Sequence, residues 1–152
     1  MKRSFAILLL ALILAGSANS QGTRLLRQPT ISSTHIAFAY GGDIWVTDLN
    51  GQNLKRLTST PTVESDPHFS PDGKTIAFTS NRNGANAVYT VSVEGGDAKR
   101  QTWHPSSSMA RGWTNDGKNI LFASYRDVAP GSVNRLWTIS INGGPAKLLA
   151  SQ

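Results

Sequence analysis

The chain has 152 residues with 15 Lys+Arg against 9 Asp+Glu and no cysteine. Without cysteine, a disulfide framework and a thiolate zinc site are both excluded. The basic residues never run longer than two in a row, a pattern of solvated surface that argues against nucleic acid as a partner.

Residues 1–20, MKRSFAILLLALILAGSANS, read as a secretory signal. Lys2 and Arg3 supply the positive start, Phe5 to Ala15 an apolar run, and Ala18-Asn19-Ser20 the small residues before a cut at Gln21. An uncleaved anchor is the alternative, but the run falls short of the ~20 apolar residues of a membrane span. Either way the remainder is expected to be exported, periplasmic or secreted, with no membrane contact beyond the signal. With Lys2 and Arg3 removed, 15 basic residues become 13 against 9 acids, a net +4. An exported domain without disulfides depends on core burial alone.

From residue 24 onward the chain repeats. His35-Ile-Ala-Phe-Ala-Tyr40 returns as Thr75-Ile-Ala-Phe-Thr-Ser80 and as Asn119-Ile-Leu-Phe-Ala-Ser124, so Ile36, Ile76 and Ile120 stand 40 and 44 residues apart. Asp43-Ile-Trp-Val-Thr47, Ala87-Val-Tyr-Thr-Val91 and Arg135-Leu-Trp-Thr-Ile139 keep step with them, each followed by a glycine turn. A basic-apolar segment closes each unit: Leu54 to Thr58, Ala98 to Thr102, Ala146 to Leu149. A period of this length changes the whole fold assignment. The units are expected at about 24–59, 64–103 and 108–150.

Each unit reads as four short strands, in the middle copy Ser65 to Ser70, Thr75 to Ser80, Ala87 to Val93 and Ala98 to Thr102, rich in β-branched and aromatic residues and bounded by Gly, Pro, Asn or Asp. In Ser70-Pro71-Asp72-Gly73 the proline presets φ for a type I turn and glycine takes the left-handed position that closes the hairpin. Thr114-Asn115-Asp116-Gly117 repeats this without proline, whereas Ser32-Ser33-Thr34-His35 lacks the glycine, so the first unit is atypical. Ile76-Ala77-Phe78 and Ala87-Val88-Tyr89 are apolar on both faces, as in a sheet covered on both sides. Four-stranded sheets stacked face to face around an axis provide that cover, so the fold class is all-β: a β-propeller of antiparallel blades, three present and the ring incomplete. A β-sandwich is the alternative, but it has no reason to repeat one cassette three times.

The SPDGK-x-I-x-F cassette, the D-I-W and related third-strand segments and the Gly-Gly turns together resemble the TolB/tricorn type of propeller repeat. Leu25-Leu26-Arg27-Gln28-Pro29-Thr30-Ile31-Ser32 leading into Gly41-Gly42-Asp43-Ile44-Trp45 is similar to the N-terminus of tricorn protease homologues. The resemblance covers nearly all of residues 24–149. It implies a first propeller of six blades, then a second propeller and, much further along, a PDZ-containing serine peptidase region, with the propellers guiding peptides. No residue matches the catalytic region, so no catalytic residue carries over. Propellers close with about four to eight blades. Three blades therefore imply either continuation of a longer chain or a homo-oligomer in which two copies close a ring.

Asp66, His68 and Ser70 alternate along one strand and so share a face. Spacing of ~6–7 Å between same-face neighbours is too wide for a nucleophilic relay. The first strand of a blade is innermost, which makes Asp66 and His68, with Arg111 from the third unit, the candidates for lining a substrate channel for peptide or protein; the alternative is that Asp66 and His68 simply hydrogen-bond to adjacent blades. The three histidines are not at equivalent places and no metal-ligand spacing occurs; Asp48-Leu49-Asn50-Gly51 suits a hairpin turn better than a calcium loop. The Gly-Gly pairs lack the helix that nucleotide phosphate binding requires. No cofactor or metal is expected. Trp45, Tyr89 and Trp137 recur at one blade position and Trp113 stands where the second unit has Phe69, all consistent with packing between blades. Trp103, in a connection, is expected to be exposed.

Overall fold

A computed structural model describes residues 26–127 and 133–149. The proposed signal at 1–20 lies outside the described residues. The first sheet comprises β1 (Arg27–Ile31), β2 (His35–Tyr40), β3 (Asp43–Asp48) and β4 (Lys55–Arg56). The second comprises β5 (Glu64–Phe69), β6 (Thr75–Ser80), β7 (Ala87–Ser92) and β8 (Lys99–Arg100). The third comprises β9 (Ser108–Trp113), β10 (Asn119–Ser124), β11 (Arg135–Ser140) and β12 (Lys147–Leu148). Each is an antiparallel meander in sequence order, and β1, β5 and β9 touch side by side. These are three blades of a propeller, with those three strands innermost.

The fourth strands are shorter than the sequence suggests, two residues each. A side chain takes over where the ladder stops. Ile44 N donates to Thr58 Oγ1 and Val88 N to Thr102 Oγ1, both at 2.9 Å, so hydroxyls replace the backbone carbonyls a longer strand would have offered.

Alternation along the strands explains how both faces are filled. Ile76, Phe78, Tyr89 and Val91 of the second blade pack on Ala37, Ala39, Ile44 and Val46 of the first. Ala77 and Val88, one residue out of phase, pack on Ala110, Trp113, Ile120, Phe122, Trp137 and Ile139 of the third. Each blade thus presents large side chains backward and smaller ones forward. The same rule leaves Ile36, Phe38 and Trp45 half-buried on the first blade, and Leu136 exposed on the third. Trp45 accordingly packs less than Tyr89 and Trp137, making an edge contact with Tyr40 at 6.1 Å instead.

The two Asp-Gly turns are superimposable in chemistry. Ser70 Oγ donates to Asp72 Oδ1 at 2.6 Å, Lys74 N donates to the same oxygen at 3.1 Å, and Thr75 N donates to Ser70 Oγ at 3.0 Å. Thr114, Asp116, Lys118 and Asn119 reproduce all three bonds. Gly73 has φ +70°, and a Cβ there would lie 3.2 Å from Ser32 Cβ of the first blade. Gly73→Ala should therefore cost about 1–2 kcal/mol from the left-handed backbone alone, read as a lowered urea midpoint with unchanged slope.

Candidate functional site

Every inner strand is broken by a β-bulge at the same level. Pairing shifts between Arg27 and Thr30, between Ser65 and His68, and opposite Leu121 and Phe122 where Arg111 is the extra residue. A bulge adds one residue and re-aims its side chain. Gln28 and Asp66 take up the irregularity with φ of +52° each, a left-handed conformation that costs a non-glycine residue about 1–3 kcal/mol. Both precede a proline, Pro29 and Pro67, which has no N–H to lose from the ladder.

The strain is offset by reciprocal bonds across the blades. Gln28 Nε2 donates to Asp66 Oδ1 at 2.8 Å while Asp66 N donates to Gln28 Oε1 at 2.9 Å. The other carboxylate oxygen of Asp66 accepts from Thr79 Oγ1 at 2.9 Å and Ser65 Oγ at 3.1 Å. Arg111 Nη1 lies 3.4 Å from Asp66 Oδ1, and Ala110 N donates to Thr79 Oγ1 at 3.0 Å. One carboxylate on the middle blade thus binds the inner strands of both neighbours.

The bulge corrects one sequence expectation. Asp66, His68 and Ser70 do not continue a single alternating face, because the register shifts between Ser65 and His68 and Ser70 lies past the end of β5, bonded into its turn. Asp66 and Arg111 do come together, and His68 lies close enough to feel both charges. Gln28, Pro29, Thr30, Asp66, Pro67 and His68 line a cavity of about 270 Å³ on the inner strands. A larger cleft of about 470 Å³ adjoins it at the β2–β3 turn, lined in part by Arg27, Gln28, Tyr40 and Glu64. Gln28 and Thr79 were not found by sequence reading. The usable signal was a polar residue before proline at one place in two units.

Among the described residues no serine hydroxyl is hydrogen-bonded to a histidine ring, and no three His, Asp or Glu side chains gather as a metal would require. Asp48 closes its own turn, accepting from Asn50 N at 3.1 Å and Gln52 N at 2.7 Å. Trp113 Nε1 donates to His68 O at 2.9 Å, tying blade three to blade two. Trp103 is 74% exposed, with the Arg100 guanidinium 4.7 Å from its ring centre. The inner strands bring a carboxylate, a guanidinium and an imidazole together, the carboxylate and the imidazole lining the cavity.

Burial holds the His68 imidazole below its ordinary 6.5, with Arg111 adding to the effect and Asp66 opposing it. Between that depressed value and 6.5 the unfolded chain binds the proton that the fold does not, so stability rises with pH there and falls on acidification. The Asp72 and Asp116 carboxyls are held below 3.8, first by the Ser70 and Thr114 hydroxyls, so their contribution disappears only in stronger acid. The urea midpoint should decline in two stages, and His68→Gln should remove the upper one alone.

Residues 23–152 match the sequence profile of the tricorn protease N-terminal beta propeller domain. Tricorn protease homolog 1 of Streptomyces coelicolor is 37% identical over 71 residues, covering 47% of this chain and 7% of that protein. The Tol-Pal system protein TolB of Bordetella pertussis is 43% identical over 47 residues, 31% of this chain and 11% of that protein. Among solved structures, tricorn protease aligns over 78% of this chain and 12% of its own, with a TM-score of 0.65 and 25% identity. TolB from Acinetobacter baumannii aligns over 80% of this chain and 31% of its own, with a TM-score of 0.62 and 27% identity. The chain therefore spans only a small part of each of these proteins.

Proposed function

The chain belongs to the tricorn protease N-terminal β-propeller family, and on that basis we propose that it forms the opening blades of a propeller in an exported tricorn-like serine peptidase. Its role there is structure and substrate access, with bond cleavage carried out by a downstream region. The observation carrying this reading is the inner-strand trio of Asp66, His68 and Arg111, the first two of which line a cavity on the inner strands. Peptide passing along that surface would meet hydrogen-bonding and charged groups of both signs.

The test uses the full-length protein. Arg111→Glu reverses one exposed charge on the channel wall, and is expected to lower kcat/KM for peptides several-fold through KM while kcat stays unchanged, the signature of lost uniform binding. Unchanged kinetics across peptides of both charges would remove the channel role. Export is checked by the N-terminus of the mature protein, expected at Gln21 in a periplasmic or secreted fraction.

TolB supplies a second reading, a periplasmic propeller that binds envelope proteins, favoured by the 43% identity over 47 residues. The coding sequence beyond Gln152 separates the two: a PDZ and serine peptidase region supports the first, and a stop after a few more blades supports the second. Among the described residues, Ile36, Phe38 and Trp45 of blade one stay half-buried and Leu136 of blade three exposed, as a stack continued by further blades of the same chain or by a second copy would use them. Light scattering on residues 21–152 tests the second copy, and a stable monomer would rule it out.

A further inference from the structure

Blades two and three carry the same arginine cassette with one member exchanged. In blade two, Arg82 follows β6, its Nε donates to Ser80 Oγ at 3.1 Å, and its guanidinium lies over Tyr89 at 4.5 Å and Phe78 at 5.7 Å. Its charge is met by Glu64, whose side chain is fully buried. In blade three, Arg126 follows β10, its Nε donates to Ser124 Oγ at 3.4 Å, and its guanidinium lies over Phe122 at 4.7 Å and Trp137 at 5.4 Å. At the place of Glu64 stands Ser108, whose hydroxyl accepts from Arg126 Nη2 at 3.1 Å.

Arg126 is therefore a buried cation without an acid. It is only 7% exposed, and all nine acidic side chains of the sequence fall within the described residues, where none forms an ion pair with it. Asp127 contributes its field without reaching the guanidinium, and burial draws the Arg126 pKa below its ordinary value. An arginine this buried ordinarily has a carboxylate, because desolvating an uncompensated charge costs several kcal/mol. On the ring that the guanidinium overlies, one donor is unmet. Trp137 Nε1 is buried with no hydrogen-bond acceptor, although its counterpart Tyr89 donates its hydroxyl to Asn83 Oδ1 at 3.1 Å.

We propose that the Arg126–Trp137 site of the third blade binds a carboxylate supplied from outside the chain, in the role that Glu64 plays within blade two. A carboxylate would supply Arg126 with the opposite charge that Glu64 supplies to Arg82, and the aromatic pair beneath excludes water and strengthens the attraction. Neither Arg126 nor Trp137 lines the cavity of Asp66 and His68, so this site stands whether or not peptides pass along that cavity.

The experiment follows the Trp137 indole N–H signal, assigned through Trp137→Phe, while the full chain is titrated with sodium acetate, with a short glutamate-rich peptide, with its glutamine counterpart, and with sodium chloride at matched ionic strength. The expected result is a saturable downfield shift with acetate or the acidic peptide only. Saturation by acetate identifies a free carboxylate as sufficient; saturation by the peptide alone identifies a polypeptide-borne acid. Arg126→Gln should weaken binding about ten- to hundredfold, the loss of one charge-assisted hydrogen-bonded contact. Ser108→Glu should shift the indole signal without ligand and abolish the titration; if that variant does not fold, Arg126→Lys, expected to bind about tenfold more weakly than wild type, takes its place. No saturable shift, an equal shift with chloride, or an Arg126→Gln variant that titrates like wild type would each overturn the proposal.

Discussion

Glu64→Ser is expected to destabilise the chain by about 3 kcal/mol, the lower end of what removing one partner of a buried ion pair costs. The carboxylate is fully buried and the Arg82 guanidinium only 20% exposed, so neither can be rehydrated without movement. Arg82 is pinned by Ser80 and by the Phe78 and Tyr89 rings, and losing Glu64 leaves its charge over those rings with hydroxyl partners only. The variant writes the Ser108 arrangement of blade three into blade two. Urea unfolding should show the midpoint fall, and Glu64→Leu combined with Arg82→Met should recover most of the loss, because apolar replacement removes the desolvation cost of both charges together. A double variant no better than the single one would mean that the pair stabilises by shape rather than by charge.

The repeat was legible in the sequence because its carriers are local. Ile-x-Phe on the second strand, an aromatic on the third and Asp-Gly in the first turn each have a role that depends on neighbours a few residues away, and all recur in register. The bulges were not legible from alternation, which predicts a continuous face through Asp66 and His68. A bulge is decided by what lies across the blade boundary, here Gln28 from 38 residues upstream. The arginine cassette is not legible for a related reason. Ser80-Asn81-Arg82 and Ser124-Tyr125-Arg126 look like polar loop segments, and only the fold shows that both arginines turn inward over the aromatic pair of their own blade. The first-strand residue that meets them, Glu64 or Ser108, lies 18 positions earlier in each unit. Spacing alone gave no reason to pair it with an arginine.

Phe78→Ala should be the most damaging single truncation, at about 3–5 kcal/mol for a fully buried phenylalanine. The ring faces the first blade among Ala37, Ala39, Ile44 and Val46, and stacks on Tyr89 with centroids 5.9 Å apart. Small residues opposite cannot move into the space, because Ala37 and Ala39 belong to a strand paired on both sides. The cavity therefore persists, and the contacts of its lining are lost along with the transfer free energy. In stacked repeats each unit is stabilised mainly by its immediate neighbours, so the damage should concentrate at one boundary. Hydrogen exchange should show protection lost in β2, β3 and the Phe78 face of blade two, while the Phe122 and Ile120 amides, which belong to the cluster between blades two and three, keep more of theirs. Uniform loss across all three blades would instead mean that the blades unfold as one unit, and that the large-on-small stacking transmits strain through blade two rather than stopping at it.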